Sequence, residues 1–424
     1  MSSVVVAGSG SETQTLVTIQ DIPGRGRGLV ATKPLKAGQI LLKDSPILLY
    51  SAFPLTKQQQ QPTPIYCDKC FKKLLLHSSS AISSCPSCSH HFFCSPTCLS
   101  AASASSHTPW VCQSLARLRH SPAFASPESS SSELQVQARF LVSAYNLAFV
   151  SPPDFQVLLS LQGGVRPQDA SASQLLHPLL SSLCPPPPVE GFPFTPELTA
   201  ALLAKDGMNA FGLMEPFDPK RGGERSVRAY GVYPKAALFN HDCLPNACRF
   251  DYIDAAVSGG DNTDITVRLI HDVPQGREIC LSYFAVNLNY ATRQKRLLED
   301  YGFRCECDRC KVEANWSDNE GDEENEEMEE EEEEQQQEEV EDEPMEAGSQ
   351  DDKDDDDDDD DATFPHAYFF LRYMCNIDNC GGTLAPLPPS GDTPSTLLEC
   401  NVCGNIKSDE FDGYGGQAGA SMEN

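Results

Sequence analysis

The sequence predicts an α+β fold in which a β-rich unit is interrupted by inserted segments. Short β-type runs separated by glycine turns occur at residues 20–50 and again at residues 265–283. Between them lie a block dense in cysteine and histidine and two segments with helical periodicity. These observations indicate one larger domain with small modules, a size that 424 residues allow.

The β-type segments are bounded by turns rich in glycine. The turn Arg25-Gly26-Arg27-Gly28 precedes the apolar run Leu29–Ala31, and Lys36–Gly38 separates it from a second run, Ile40–Leu42. Apolar periodicity predicts further elements, which are helices at residues 133–150, 198–204 and 290–301 and strands at residues 265–269 and 279–283.

The formal net charge of −31 is concentrated in one tract. Between Asp318 and Asp361 the chain has 29 acidic residues and one base, Lys353, a net charge of −28 that leaves only −3 for the remainder. With almost nothing apolar to bury, this acidic tract is predicted to be disordered and would repel DNA. Two roles are open to it: an electrostatic tether for basic partners such as histone tails, or a solvated linker.

The chain has no run of about 18 apolar residues and no basic region ahead of an apolar N-terminal stretch. We therefore expect a soluble, non-secreted protein of the nucleus, the cytoplasm or both, without a membrane contact. The 18 cysteines fall mostly in short-spaced clusters, and in a reducing compartment this pattern favours metal thiolates over disulfides.

Eight candidate zinc ligands lie between residues 67 and 112. Two tetrahedral zinc ions need eight ligands, and a module this small depends on its metal for stability. The ligands form four spaced pairs, Cys67 and Cys70, Cys85 and Cys88, Cys94 and Cys98, and His107 and Cys112. Surface or loop positions are expected for the remaining histidines of this block, His77, His90 and His91.

Two further cysteine clusters lie nearer the C-terminus. The first supplies three thiolates, one fewer than a tetrahedral ion needs, so a distant residue must complete it: Cys305, Cys307 and Cys310. The second has two knuckles 19 residues apart, each followed by glycine, as in a zinc ribbon: Cys375, Cys380, Cys400 and Cys403. With Cys243, discussed below, as the candidate for the missing ligand, the sequence predicts about four zinc ions and leaves three thiols for core positions, Cys184, Cys248 and Cys280.

Three separated segments accompany these clusters: Arg25–Gly28, Asn240–Asn246 with the sequence Asn-His-Asp-Cys-Leu-Pro-Asn, and Glu278–Tyr283 with the sequence Glu-Ile-Cys-Leu-Ser-Tyr. In this order, and followed by Cys-x-Cys-x2-Cys, they resemble the SET domain. With the Cys/His block inserted after the first β unit, residues 18–312 resemble the SET/MYND protein lysine methyltransferases. The resemblance implies a β-rich SET fold split by a MYND zinc finger, and an enzyme that uses S-adenosylmethionine.

The resemblance also implies roles for individual residues. Those for the methyl donor, S-adenosylmethionine, are Arg25, Gly26, Gly28, Asn209, Asn240, His241, Tyr283 and Phe303. Those for the channel that admits the substrate lysine are Phe211, Tyr283 and Tyr301, with Tyr283 as the catalytic residue. The fourth ligand beside Cys305, Cys307 and Cys310 would be Cys243. The MYND pattern would place Cys67, Cys70, Cys94 and Cys98 on one ion, and Cys85, Cys88, His107 and Cys112 on another.

These residue types suit methyl transfer to lysine. A lysine amine with a pKa of about 10.4 is protonated at neutral pH and cannot attack a methyl group in that form. A narrow aromatic channel removes water from the ammonium and lowers its pKa, and the sulfonium of the donor disfavours a second positive charge. Tyr283 would orient the amine and the methyl group, and solvent is expected to take the proton. Tyr233 is either a further residue of this site or a core tyrosine.

These assignments divide the chain into seven consecutive segments. They are the SET N-terminal part (16–62), MYND finger (67–112), helical SET insert (113–230), SET C-terminal part (231–287), post-SET segment (288–312), acidic tract (313–361) and zinc ribbon (362–412).

The chain departs from the family pattern at two places. Asp242 stands where members often have serine, and the acidic tract and ribbon stand where the best-known members have a long helical-repeat domain that helps wall the substrate cleft. Substrate choice, histone or other, therefore does not carry over. Two other functions stay open: a non-catalytic adaptor, whose finger binds proline-rich peptides and whose acidic tract holds basic partners, and a DNA-binding zinc protein. The latter is disfavoured because the metal blocks have no basic recognition helix.

Overall fold

The computed structural model describes most of the chain, namely residues 15–56, 64–75, 82–125, 131–187, 193–222, 225–254, 261–315, 366–391, 393 and 395–409. The chain divides into two compact units, the first made of Met1–Val286 with Tyr373–Asn424 and the second of Asn287–Arg372. The predicted disorder of the tract from Asp318 to Asp361 and the predicted position of His77 lie outside the described residues.

The strands are short. In chain order they are β1 (Val17–Ile22), β2 (Gly26–Ala31), β3 (Ile40–Asp44), β4 (Leu48–Ser51), β5 (Ile65–Tyr66), β6 (Lys73–Leu74), β7 (Ser83–Ser84), β8 (Phe92–Phe93), β9 (Ala210–Met214), β10 (Val227–Val232), β11 (Asn240–His241), β12 (Ala247–Asp251), β13 (Ile265–Leu269), β14 (Glu278–Leu281), β15 (Leu384–Pro386), β16 (Leu397–Cys400) and β17 (Ile406–Ser408). The strands predicted at residues 29–31, 40–42 and 265–269 are confirmed. The strand predicted over 279–283 ends at Leu281, because Ser282 begins a turn in which its hydroxyl donates to the Phe284 carbonyl at 2.7 Å.

Three small sheets form the β-rich part of the first unit. Their strand orders are β1-β2-β14-β11, β4-β10-β9 and β12-β13-β3. The hairpin between β1 and β2 turns through Gly24 and Gly26, both with φ of +74°, a backbone conformation that favours glycine. β14 pairs antiparallel with β2, and β11 runs parallel to β14. Sheet pairing therefore joins the glycine-rich turn to segments more than 200 residues later in the chain.

A closed apolar core lies between these sheets. Leu29, Leu41, Val267 and Ile279 are at most 2% exposed, and each comes from a different strand. The alternation that predicted β3 and β13 from the sequence thus marks side chains that pack together across sheets. Because burial of apolar surface is the main source of stability, this core fixes the register of the strands that carry the site.

The helices between residues 109 and 209 form a second apolar core. The ten helices among the described residues are α1 (Pro96–Ala104), α2 (Pro109–Arg119), α3 (Pro122–Ala125), α4 (Ser132–Val150), α5 (Pro152–Ser160), α6 (Pro167–Leu183), α7 (Pro196–Asn209), α8 (Tyr290–Tyr301), α9 (Asp308–Glu313) and α10 (Ala367–Tyr373). The predicted helices at 133–150, 198–204 and 290–301 are confirmed. α4 lies at the centre of this core, and Ala138, Phe140 and Leu141 on it are fully buried. Among the described residues, no helix combines the length and the hydropathy that a membrane span requires.

Candidate active site and zinc sites

The glycine-rich turn lies against β11 and β14. A Cβ atom at Gly28 would lie 2.8 Å from Asn240 Nδ2 and 2.6 Å from Glu278 Oε1, so a larger residue would force these groups apart. Asn240 Nδ2 itself donates to Glu278 Oε1 at 2.7 Å. The structure thus places Gly28 and Asn240 side by side, and both are predicted to contact the methyl donor.

Arg25 ties the same turn to the two strands. Its guanidinium forms an ion pair with Glu278 at 2.7 Å and donates a hydrogen bond to the backbone carbonyl of His241. Both partners lie on β11 or β14, so the Arg25 side chain holds the turn at a fixed distance from the Asn240-His241 segment.

His241 is the buried centre of the site. It is 2% exposed, and its Nδ1 accepts a hydrogen bond from the Tyr283 amide at 3.1 Å. An Nδ1 that accepts places the ring proton of a neutral imidazole on Nε2, which lies 3.3 Å from Cys243 Sγ. His241 therefore fixes the backbone of the predicted catalytic tyrosine on one side and contacts a predicted zinc ligand on the other.

The Tyr283 hydroxyl has a defined direction. It donates its proton to the Phe239 carbonyl at 3.0 Å. A phenol whose proton is given to a carbonyl presents lone pairs to other neighbours, and so accepts from N–H or polarised C–H groups. This is the polarity needed to orient a lysine amine and a donor methyl group, the role predicted for Tyr283.

Asn209, the last residue of α7, is held in place by two carbonyls. Its Nδ2 donates to the Gln162 carbonyl at 2.7 Å and to the Lys205 carbonyl at 2.8 Å, and the side chain is 4% exposed. These bonds hold the end of α7 against the loop between α5 and α6. Asn209, which is predicted to contact the methyl donor, is thus held in place by the helical insert.

The sequence did not single out Gln162. The structure places it beside Asn209 and Gly26, two residues that are predicted to contact the methyl donor. Its carbonyl accepts from Asn209, and its Nε2 lies 2.9 Å from where a Cβ atom of Gly26 would be. The adjacent Gly163 has φ of +132°, and a Cβ atom there would lie 2.6 Å from the Ala204 carbonyl oxygen. The Gly-Gly pair after Gln162 was the available signal, because it marks a close backbone approach.

The aromatic residues of the predicted channel divide between the two units. Phe211 lies on β9 in the first unit, where its ring packs edge-on against Tyr233 with centroids 5.7 Å apart. Tyr233 is fully buried and donates to the Thr263 carbonyl at 2.5 Å, so it is a core tyrosine. Tyr301 ends α8 in the second unit and Phe303 follows it, 37% exposed, and their predicted roles remain predictions.

Comparison with known proteins identifies the family. The sequence pattern of the SET domain matches residues 26–284, more than half of the chain. The chain belongs to the SET domain family. It is 55% identical to the histone-lysine N-methyltransferase ASHR2 of Arabidopsis thaliana over 95% of this chain and 98% of that protein.

Two human relatives are more distant. The chain is 24% identical to the histone-lysine N-methyltransferase SMYD3 and 25% identical to the N-lysine methyltransferase SMYD2, over 71% and 68% of its length. It spans 63% and 58% of the lengths of these two proteins. With the SET match, these relatives confirm the predicted membership among the SET/MYND-type lysine methyltransferases.

The Cys/His block inserted into the SET domain forms two complete ligand sets. In each, the four candidate ligand atoms lie within 4.8 Å of one another, and the sets are those predicted: Cys67, Cys70, Cys94 and Cys98, and Cys85, Cys88, His107 and Cys112. Burial lowers the pKa of His107 to about 4, with a smaller contribution from His91, so its imidazole is neutral at pH 7. Neutral imidazole and thiolate are the forms that bind zinc, so these sets fit two tetrahedral ions.

His91 lies in the loop between β7 and β8, which agrees with the expectation of a surface or loop position, but it is buried. This histidine is 5% exposed, its ring packs 4.4 Å from that of His107, and its Nδ1 lies 3.1 Å from an Asp68 carboxylate oxygen. The burial results from the β7–β8 hairpin, which brings the His91 ring against His107 of the second ligand set. His90, the next residue toward the N-terminus, is exposed as expected.

The C-terminal cysteines form a third complete set. Cys375, Cys380, Cys400 and Cys403 have sulfur atoms within 4.8 Å of one another, next to the three-stranded sheet β15-β16-β17. A Cβ atom at Gly382 would lie 2.4 Å from Cys400 Sγ, which explains a glycine beside the knuckle. This four-thiolate set also fits zinc.

The remaining predicted ligands fall in different compact units. Cys243 belongs to the first unit and is fully buried, whereas Cys305, Cys307 and Cys310 surround the start of α9 in the second unit. Their assignment to one ion remains a prediction. The three cysteines expected in the core, Cys184, Cys248 and Cys280, are all at most 5% exposed, as predicted.

Proposed function

We propose that this protein transfers a methyl group from S-adenosylmethionine to lysine side chains of proteins, with histones as substrates. The observation that carries the proposal is the junction of three distant segments. Gly28 lies on β2, Asn240 and His241 lie on β11, β14 pairs with both strands, and Tyr283 follows the end of β14 with its amide bonded to His241. The relative ASHR2, which matches nearly the whole chain, is named a histone-lysine N-methyltransferase. That name supports the substrate class.

The residues of the turn fit a methyl donor bound against backbone. Gly26 and Gly28 keep the surface beside Asn240 free of side chains, so a ligand can approach the backbone there. We assign donor binding to these glycines with Arg25, Asn209, Asn240, His241, Tyr283 and Phe303, and add Gln162, which lies beside Gly26. When bound, S-adenosylmethionine supplies an electrophilic methyl group on a positively charged sulfur.

The chain's own residues then prepare the lysine. Phe211, Tyr283 and Tyr301 exclude water from the ammonium group, which lowers its pKa and releases its proton to solvent. The Tyr283 hydroxyl, fixed by its bond to the Phe239 carbonyl, accepts from the amine and orients its lone pair toward the methyl carbon. Holding nitrogen, carbon and sulfur in line contributes several kcal/mol, about 7 in favourable cases.

The zinc sites have structural roles in this proposal. The module from Cys67 to Cys112 is a MYND finger that binds two ions and docks proline-rich peptides, and the C-terminal set is a zinc ribbon with one ion. Cys243 with Cys305, Cys307 and Cys310 binds a fourth ion and anchors the post-SET segment. The acidic tract is an electrostatic tether for basic partners in the nucleus or cytoplasm.

The test is methyl transfer by purified protein to histones and to a protein mixture, followed by mass spectrometry of lysines. We expect Tyr283→Phe to lower kcat by about 100-fold or more because alignment is lost, with the dissociation constant of S-adenosylmethionine changed less than about twofold. Tyr290→Phe, at the first residue of α8, is the matched control and should retain full activity. Binding of the donor without transfer to any protein would favour the non-catalytic adaptor instead.

A further inference from the structure

The C-terminal zinc ribbon packs against the SET core within the same compact unit. Phe217, in the loop that follows β9, packs onto the ribbon cluster of Cys375, Cys380, Leu384 and Leu398. On the other side of the contact, Glu399 of β16 forms an ion pair with Arg268 of β13 at 2.9 Å, and this arginine is 1% exposed. The ribbon is therefore part of the folded catalytic unit.

One ribbon residue extends this contact toward the active site. Asn401 lies inside the second cysteine knuckle, where its Oδ1 accepts from the Thr383 amide at 2.8 Å. Its Nδ2 donates out of the ribbon to the backbone carbonyl of Arg249 on β12 at 3.0 Å. Because one end of the amide meets an N–H and the other a carbonyl, the two partners fix its orientation.

Arg249 carries the contact on to the predicted lysine channel. Its guanidinium lies over the Phe211 ring, 5.4 Å from the centroid, and donates to the Gly212 carbonyl at 3.0 Å. An ion pair with Asp251 at 2.6 Å holds the guanidinium in place. The start of β9, which includes Phe211, is thus supported by Arg249, while Phe217 beyond its end is held by the ribbon.

We infer that Asn401 is a positioning residue, through which the zinc ribbon sets the position of Phe211 by way of Arg249. The inference rests on the proposed function only in naming Phe211 as a wall of the lysine channel. The ribbon thereby contributes to alignment of the substrate lysine, while binding of the methyl donor depends on other contacts. A displacement of about 1 Å of such a wall lowers transfer by as much as about 100-fold.

The first experiment is independent of catalysis. With 4-fluorophenylalanine at position 211, the 19F resonance should shift in Asn401→Ala and keep its position in Asn376→Ala, which changes an exposed asparagine of the other knuckle. Asn401→Asp keeps an acceptor for the Thr383 amide but loses the donor to Arg249, so it should shift the resonance while zinc content by native mass spectrometry stays that of the wild type. An unmoved resonance in Asn401→Asp would overturn the inference.

The second experiment measures transfer to a lysine peptide. Asn401→Asp should lower kcat/KM by about tenfold or more, with the dissociation constant of S-adenosylmethionine within about twofold of the wild type. In a Phe211→Leu background the same substitution should have almost no further effect, since its path through Phe211 is already broken. An equal tenfold loss in both backgrounds would show a general structural role and refute the inference. If the resonance shifts in Asn401→Asp but the wild type transfers no methyl group, the inference about Asn401 is supported and only the proposed function is refuted.

Discussion

The two cysteine modules of the first unit are attached to the SET core in similar ways. They differ in which part of the chain supplies the acidic residues of the attachment. Each attachment centres on a buried arginine of the core, Arg228 for the MYND-type module and Arg268 for the ribbon, and each is at most 1% exposed. Arg228 lies 4.8 Å from the ring centroid of Tyr66, and Arg268 lies 3.8 Å from that of Phe250. Both arginines also donate to a backbone carbonyl of the attached module.

The difference is the source of the neutralising carboxylates. Arg228 pairs with Glu215 at 3.0 Å and with Asp254 at 2.9 Å, and both acids belong to the core. Arg268 pairs with Glu399, which belongs to the ribbon. Without the MYND-type module Arg228 would keep its acids, whereas without the ribbon Arg268 would be left as a charge without Glu399. The ribbon is therefore the more integral of the two modules.

The largest effect is expected from breaking the ribbon ion pair. Glu399→Ala should lower the free energy of unfolding by about 3 kcal/mol, because an uncompensated buried charge costs more than a lost contact. Urea denaturation measures the loss, and Asp378→Ala, at an exposed position of the same ribbon, is the control.

A second substitution separates charge from packing in this result. Adding Arg268→Met to Glu399→Ala should recover part of the stability, since the unpaired charge is removed and an apolar side chain of similar length fills the site. A loss below about 1 kcal/mol in Glu399→Ala, or no recovery in the double variant, would contradict the conclusion that the ribbon is more integral to the fold than the MYND-type module.

Asp206 provides a contrast to the acids of the two attachments, because its buried carboxylate is bonded to a tyrosine hydroxyl and not to an arginine. The Tyr50 hydroxyl lies 2.7 and 2.9 Å from the two Asp206 carboxylate oxygens. Burial, with a smaller contribution from Asp169, raises the pKa of Asp206 from 3.8 to about 7. Since the folded state then binds the proton more tightly than the unfolded state, the contribution of Asp206 to stability is fully present below about pH 4 and is lost as the pH rises to about 7.

Substitution of this acid should remove that pH dependence. Asp206→Asn should flatten the stability profile between pH 5 and pH 7, where we expect the wild type to lose about 2 kcal/mol, the amount that a pKa raised from 3.8 to about 7 implies. Thermal unfolding at several pH values gives the profile, with Asp378→Asn as a control of equal charge change. An unchanged slope in Asp206→Asn would assign the titration to another group.

The smallest effects are expected from the two tyrosines that donate to the pairing acids. The Tyr66 hydroxyl donates to Glu215 and the Tyr252 hydroxyl donates to Glu399, the latter at 3.2 Å. Tyr66→Phe and Tyr252→Phe should each cost about 1 kcal/mol, because each acid keeps its arginine. A Tyr252→Phe loss as large as that of Glu399→Ala would show that the hydrogen bond, and not the charge, stabilises the ribbon contact.

Much of the site was predictable because its signals are local. The knuckle spacings, the glycine-rich turn and the Asn-His segment each lie within a few residues, so the sequence identified the candidate ligands and the segments of the site, while the resemblance to the SET/MYND family implied how the ligands divide between ions. The periodicity of α4, α8 and β13 likewise reflects one buried face per element. The burial of His91 could not be predicted, because the pairing of two-residue strands decides which histidine of the pair turns inward.

The sequence by itself determined the family, the α+β class and the residue types that suit methyl transfer, since these follow from motifs and periodicity. Only the tertiary structure decided which residues support them: Gln162 beside Gly26, Arg249 over Phe211 and Asn401 against Arg249. These contacts join residues between 38 and 152 positions apart. Short-range patterns carry no information on such pairs, because packing of the sheets and the ribbon brings them together only in the folded chain.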